Sequence, residues 1–291
     1  MRRSLSPLLL LLAASCSPLK TFNALVPKDG GVAIVAKDQI FREGPRGRLD
    51  LYAPRRRGEA PLPVIVFFYG GSWNSGTKAG YAFVGRALAS RGFLVAIPDY
   101  RLVPEVRFPA FLEDGAAAVR WVRAHAARHG GDPGRIVLAG HSAGAYNAAM
   151  LSLDQRWLGQ DRAAVRGFVG LAGPYDFFPF DQPASRAAFG EAADPAATQP
   201  VRFASAGDPP SLLLVAGKDD LVGPHNARNL AAALRRAGVP VETRTYDRIG
   251  HVGIITALSR LFRGKAPVLD DLTGFARQVT AEEPATIAPA A

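Results

Sequence analysis

The chain has 291 residues, 48% hydrophobic and 21% charged, which suits one large domain with a substantial core and excludes a wholly disordered chain. Its formal charge is +10, or 10 − 2 = +8 once Arg2 and Arg3 are set aside. The other cations are dispersed, and the densest run, Arg55-Arg56-Arg57, lies between Pro54 and Gly58 as a solvated loop, so no nucleic-acid partner is expected.

Arg2 and Arg3 precede an apolar run from Leu8 to Ala14 that gives way to small residues before Cys16, the layout of a secretory signal over residues 1–16. The run is too short for a permanent membrane span. Cys16 is the only cysteine, so no disulfide forms within the chain. Ala13-Ala14-Ser15-Cys16 resembles a bacterial lipoprotein cleavage site, with Ala13 where Leu is more usual. That resemblance implies a lipid anchor on Cys16 and a membrane-held protein facing the periplasm or cell envelope. An ordinary signal cut nearby would instead discard Cys16.

Residues 17–31 read as a linker, 32–280 as the catalytic domain and 281–291 as an unstructured tail. Within the domain, short β-branched runs alternate with Ala- and Leu-rich stretches at helical spacing, the pattern of a mostly parallel sheet covered on both faces. Strands are expected at Val32 to Phe41, Arg48 to Tyr52, Pro63 to Tyr69, Phe93 to Ile97, Arg135 to Ala139, Arg166 to Leu171, Ser211 to Ala216 and Val239 to Tyr246. The first two read as antiparallel. Helices are expected at Tyr81 to Arg91, about Ala110 to Arg128, Ala143 to Leu153 and Asn226 to Ala237. Between Gly173 and Pro210 seven prolines interrupt the pattern, and this segment reads as a cap-like excursion over the site, after the sixth strand.

Gly140-His141-Ser142-Ala143-Gly144 fits G-x-S-x-G between a strand and an Ala-rich helix, the setting in which a serine is thrust out on a sharp turn as a nucleophile. A serine needs a base, usually His, which a carboxylate must orient. Only His225 and His251 follow Ser142 among the five histidines. His225 reads as a surface residue beside the next helix. His251, in a loop after the last strand, is the expected base.

The acid is expected in Gly217-Lys218-Asp219-Asp220-Leu221-Val222-Gly223-Pro224. Many hydrolases of this kind show Gly, two residues, Asp, an apolar stretch and Pro here, which favours Asp220. Anchoring on Val222 instead selects Asp219. The unused one is expected to make local turn hydrogen bonds.

The oxyanion of acyl transfer needs backbone donors, one of them the amide of Ala143. Tyr69-Gly70-Gly71-Ser72-Trp73 resembles the His-Gly-Gly-Gly-Trp of lipases and esterases, which would make Gly71 and Ser72 the other donors. With Tyr in place of His, the side-chain support of that loop must differ. Together with Asp99-Tyr100-Arg101-Leu102-Val103-Pro104-Glu105 and Phe108-Pro109, these motifs make residues Val32 to Phe262 resemble the α/β-hydrolase carboxylesterases, near the bacterial hormone-sensitive-lipase-like and feruloyl-esterase-like groups. The resemblance implies the α/β-hydrolase fold, hydrolysis of a small-molecule ester, no metal or organic cofactor, and a structural role for Tyr100 and Arg101. An amide hydrolase such as a formamidase and a non-catalytic lipoprotein on the same fold remain alternatives; oligomeric state is open.

Overall fold

Strands apolar on both pleats must be covered on both faces, and the computed structural model, which describes residues 18–281, shows how the chain does so. Residues 1–17 and 282–291 lie outside the described residues, and with them the expected signal, Cys16 and nearly all of the tail. The eight strands are β1 (Val32–Ile40), β2 (Arg48–Pro54), β3 (Leu62–Phe68), β4 (Leu94–Pro98), β5 (Gly131–His141), β6 (Val165–Leu171), β7 (Ser211–Ala216) and β8 (Val241–Tyr246). They form one sheet in the order β1-β2-β4-β3-β5-β6-β7-β8. β2 pairs antiparallel with both β1 and β4, and every other pairing is parallel.

The helices are α1 (Pro18–Leu25), α2 (Ala82–Ala89), α3 (Ala110–His125), α4 (Ala143–Leu153), α5 (Gln155–Leu158), α6 (Pro183–Phe189), α7 (His225–Arg236), α8 (His251–Thr256) and α9 (Val268–Val279). α2 and α9 pack together beside the sheet, while α3 packs on α4. α4 is buried along its whole length, which explains its nearly uniform apolar composition. β7 is buried at every residue, whereas the edge strand β8 exposes Glu242 and Arg244, charges that discourage pairing with another chain.

The expected linker at 17–31 is corrected in part. Residues 18–25 form α1, because Phe22 packs edge-on against Phe83 at 5.2 Å and stacks on Phe262 at 5.9 Å. Asn23 adds two bonds, donating to the Ala79 carbonyl and accepting the Phe83 amide. The 173–210 excursion carries α6 and attaches to the body through an aromatic cluster, in which Phe189 meets Trp73 at 4.7 Å and Phe177 at 5.3 Å.

The turn from β5 into α4 depends on how closely α4 approaches β3. A Cβ placed on Gly144 would lie 2.1 Å from the carbonyl oxygen of Phe68 and 2.4 Å from that of Tyr69, both rigid backbone atoms. Gly144→Ala is therefore expected to lower unfolding free energy by about 1–3 kcal/mol, measured by urea denaturation, by forcing α4 off the sheet.

Candidate active site

Ser142 sits between β5 and α4 with φ 54° and ψ −126°, a conformation that L-residues rarely adopt. Its amide donates to the Leu171 carbonyl on β6, and its own carbonyl accepts the amides of Ala145 and Tyr146. The turn is thus pinned to the neighbouring strand on one side and to the helix on the other.

His251 is the first residue of α8 and not, as expected, a loop residue; Gly250 forms the cap. Its Nε2 lies 2.9 Å from Ser142 Oγ, and its Nδ1 lies 2.8 Å from Asp219 Oδ2. The expectation of Asp220 is therefore corrected. Asp219 is the carboxylate that reaches His251, whereas Asp220 is exposed and enters no hydrogen bond among the described residues. The reason lies in how Asp219 divides its oxygens: Oδ1 accepts the amides of Leu221 and Val222 at 2.9 and 2.8 Å, which aims Oδ2 at the imidazole. The turn bonds expected of the unused acid belong to the same residue that holds His251. Burial acts to raise the Asp219 pKa, but the hydrogen bonds from His251 and the two amides outweigh it and hold the carboxyl below its ordinary range.

Gly70, Gly71 and Ser72 lie against Ser142 as the walls of one cavity, and a Cβ on Gly70 would come within 3.0 Å of that of Ser142. Ser72 and Trp73 have φ of 50° and 57°, strain that a loop retains only when its surroundings fix it. No hydrogen bond among the described residues uses the amides of Gly71 or Ser72 as donor. Ala143, the first residue of α4, has no intrahelical acceptor for its amide. These three N–H groups, without an acceptor among the described residues, belong to residues that line cavities with Ser142. Support for the loop comes from Tyr69 in the place expected of a His: its ring stacks on Tyr100 at 4.6 Å, its hydroxyl accepts from Arg46 at 3.0 Å, and the Tyr100 hydroxyl donates to its carbonyl at 2.7 Å. Arg101 holds the buried Asp114 through its guanidinium.

Sequence reading missed the function of His141. Its Nε2 lies 3.0 Å from the carbonyl oxygen of His251, which can only accept, so Nε2 carries the hydrogen and Nδ1 accepts. The Tyr81 hydroxyl donates to Nδ1 at 3.1 Å and accepts the Gly70 amide at 3.1 Å. One neutral imidazole thereby links the glycine loop to the backbone of His251. Nothing in the motif spacing announces this, because His141 occupies a freely variable position of G-x-S-x-G and Tyr81 ends a short turn before α2. His225, expected on the surface, is exposed but also lines a cavity at Ser142, with its Nε2 3.1 Å from the Asp176 carbonyl oxygen.

The BD-FAE family model matches residues 49–234, more than half of the chain. Among curated proteins, a probable isoprenylcysteine alpha-carbonyl methylesterase of Oryza sativa subsp. japonica is 37% identical over 49% of this chain and 36% of its own length. Esterase LipC of Mycobacterium tuberculosis is 28% identical over 67% of this chain and 54% of its own. The chain spans about half or less of the curated relatives it matches. Two solved structures share the fold: a truncated carbohydrate esterase from gut microbiota (TM-score 0.75, 21% identity, 88% of this chain and 100% of that one) and Thermogutta terrifontis esterase 2 (TM-score 0.69, 24% identity, 89% and 98%). The chain has the α/β-hydrolase fold.

Burial, and then the neighbouring His251, push the His141 pKa down to about 3. Between that value and the ordinary 6.5 the unfolded chain binds a proton that the folded chain does not, so this residue makes stability rise with pH across the window. Urea titrations from pH 6.5 towards pH 3 are expected to show the chain losing up to about 1.4 kcal/mol per pH unit from His141, and His141→Gln losing correspondingly less.

Proposed function

The chain belongs to the BD-FAE family, and we propose that it is a serine carboxylesterase working through Ser142, His251 and Asp219. The observation that carries the reading is the continuous line Ser142 Oγ to His251 Nε2 to Asp219 Oδ2, at 2.9 and 2.8 Å. His251 takes the Oγ proton as Oγ attacks the ester carbonyl, and Asp219 holds the ring and balances its charge. The amides of Ala143 and of Gly71 or Ser72 stabilise the oxyanion, each worth about 2.7–4 kcal/mol of barrier. The alkoxy oxygen leaves with its bonding pair and the proton from His251. Water then repeats the sequence on the acyl-enzyme, and the reaction balances without a cofactor.

A fluorophosphonate probe is expected to label the chain at Ser142, read by peptide mass spectrometry, and to leave Ser142→Ala unlabelled. Asp219→Asn is expected to lower kcat on p-nitrophenyl butyrate by about 10³–10⁴, as loss of a triad carboxylate does. Asp220→Asn is expected to stay within a few-fold of the parent. Equal losses in the two variants would remove Asp219 from its role.

We also propose export and lipid anchoring at Cys16, on the strength of the apolar run and the small residues before it. Among the described residues no helix is long and apolar enough to cross a membrane. Cys16→Ala is expected to move the protein from the membrane pellet to the soluble fraction of bacterial cells.

A further inference from the structure

Two cavities open beside Ser142, and only one contains the base. The first, about 380 Å³, is walled by Ala143, Trp73, Phe177, Asp176 and Asp181. The second, about 440 Å³, is walled by His251, Tyr81, Leu19, Phe22 and Val252. Ser72 and Ser142 border both. When Oγ adds to an ester carbonyl, one oxygen of the tetrahedral carbon faces the oxyanion donors and two arms point apart. The C–O bond that then breaks releases an alkoxy oxygen, which keeps the electron pair and must receive its proton from His251 Nε2. Proton transfer requires that oxygen within about 3 Å of Nε2, so the alcohol arm lies on the side of His251.

Resting on the esterase reading above, we propose that the cavity between His251 and α1 is a leaving-alcohol chamber for an apolar, uncharged alcohol, and that the Trp73 cavity takes the acyl arm. No Lys, Arg, Asp or Glu lines the alcohol chamber among the described residues. Of its hydroxyls, those of Ser75, Tyr81 and Thr256 are already bonded to the Gly71 carbonyl, His141 Nδ1 and the Val252 carbonyl, so a charged or hydroxyl-rich alcohol would lose its water there with few partners in exchange. Its outer wall is α1, whose Phe22 is held in place by Phe83 and Phe262. Leu221 and Val252, both more than half exposed, continue the apolar surface at the rim. The acyl cavity contrasts with this. It holds the carboxylates of Asp176 and Asp181 with no Lys or Arg among its lining residues, which repels an anionic acyl arm.

The test compares methyl, butyl and hexyl butyrate on the full chain by pH-stat kcat/KM, and the binding of the same esters to Ser142→Ala by calorimetry. From methyl to hexyl, kcat/KM and affinity are each expected to rise about tenfold or more, as buried methylenes accumulate. Leu19→Glu and Phe22→Ala are each expected to cut the hexyl-to-methyl ratio about fivefold or more in both measurements. The ratio cancels the fraction of folded protein, so a poorly folding variant does not mimic the effect. A flat or falling alcohol series, or a ratio that neither variant moves, overturns the chamber. If no ester turns over while Ser142→Ala still prefers the hexyl ester in a Leu19-dependent way, the esterase reading fails and the apolar chamber stands.

Discussion

A serine at φ 54° and ψ −126° is the constraint on which the rest of the site depends. Strain of that kind costs of order 1–3 kcal/mol and persists only where the surroundings over-determine it. Here β6 holds the Ser142 amide, and α4 holds its carbonyl while pressed against the Phe68 and Tyr69 carbonyls through Gly144. Those carbonyls belong to the end of β3, where the glycine loop begins. Ser142 and the free amides beside it are therefore set by one piece of close packing. Neither can shift without the other.

His141 extends that rigidity to His251. It is buried and neutral, and its two ring nitrogens face different parts of the site: Nδ1 towards Tyr81 and Gly70, Nε2 towards the His251 carbonyl. A cationic imidazole here would repel any positive charge on His251, whose ring lies 4.9 Å away. Burial removes that possibility by keeping His141 neutral at neutral pH. Asp219 supplies the opposite sign on the far side of His251, where amides hold its charge in place.

The strand positions, the mostly parallel sheet and the turn at Ser142 were legible because they rest on local pattern: buried β-branched runs, helical spacing, and Gly on either side of a serine; the crossing of β3 and β4 in the sheet order was not. Ser142 and His251 were reachable by elimination among few candidates. Asp219 was not, because two adjacent carboxylates satisfy the same spacing, and the choice is made by which one can bond the Leu221 and Val222 amides while facing inward. α1 was hidden for another reason. Eight residues do not form a stable helix by propensity, and this one exists because Phe22 and Asn23 find partners 56 or more residues away. α8 is shorter still and begins at the base itself, so its sequence reads equally well as a loop.

The distance in sequence between the walls of the second cavity has a consequence for how the protein is made. α1 meets Phe262, and Asp29 pairs with Arg263, so the first described segment is closed by a part of the chain synthesised more than 230 residues later. Ser142 and His251 are themselves separated by 109 residues. A chain that appears amino end first can build β3 to β6 and the turn at Ser142 while α1 still lacks its far partner. The pairing of Ser142 with His251 and the closed apolar wall then arise together, once residues 250–263 have emerged. Until that moment a nascent chain carries Ser142 on its turn without His251 beside it, and the face of Phe22 that Phe262 covers stays open.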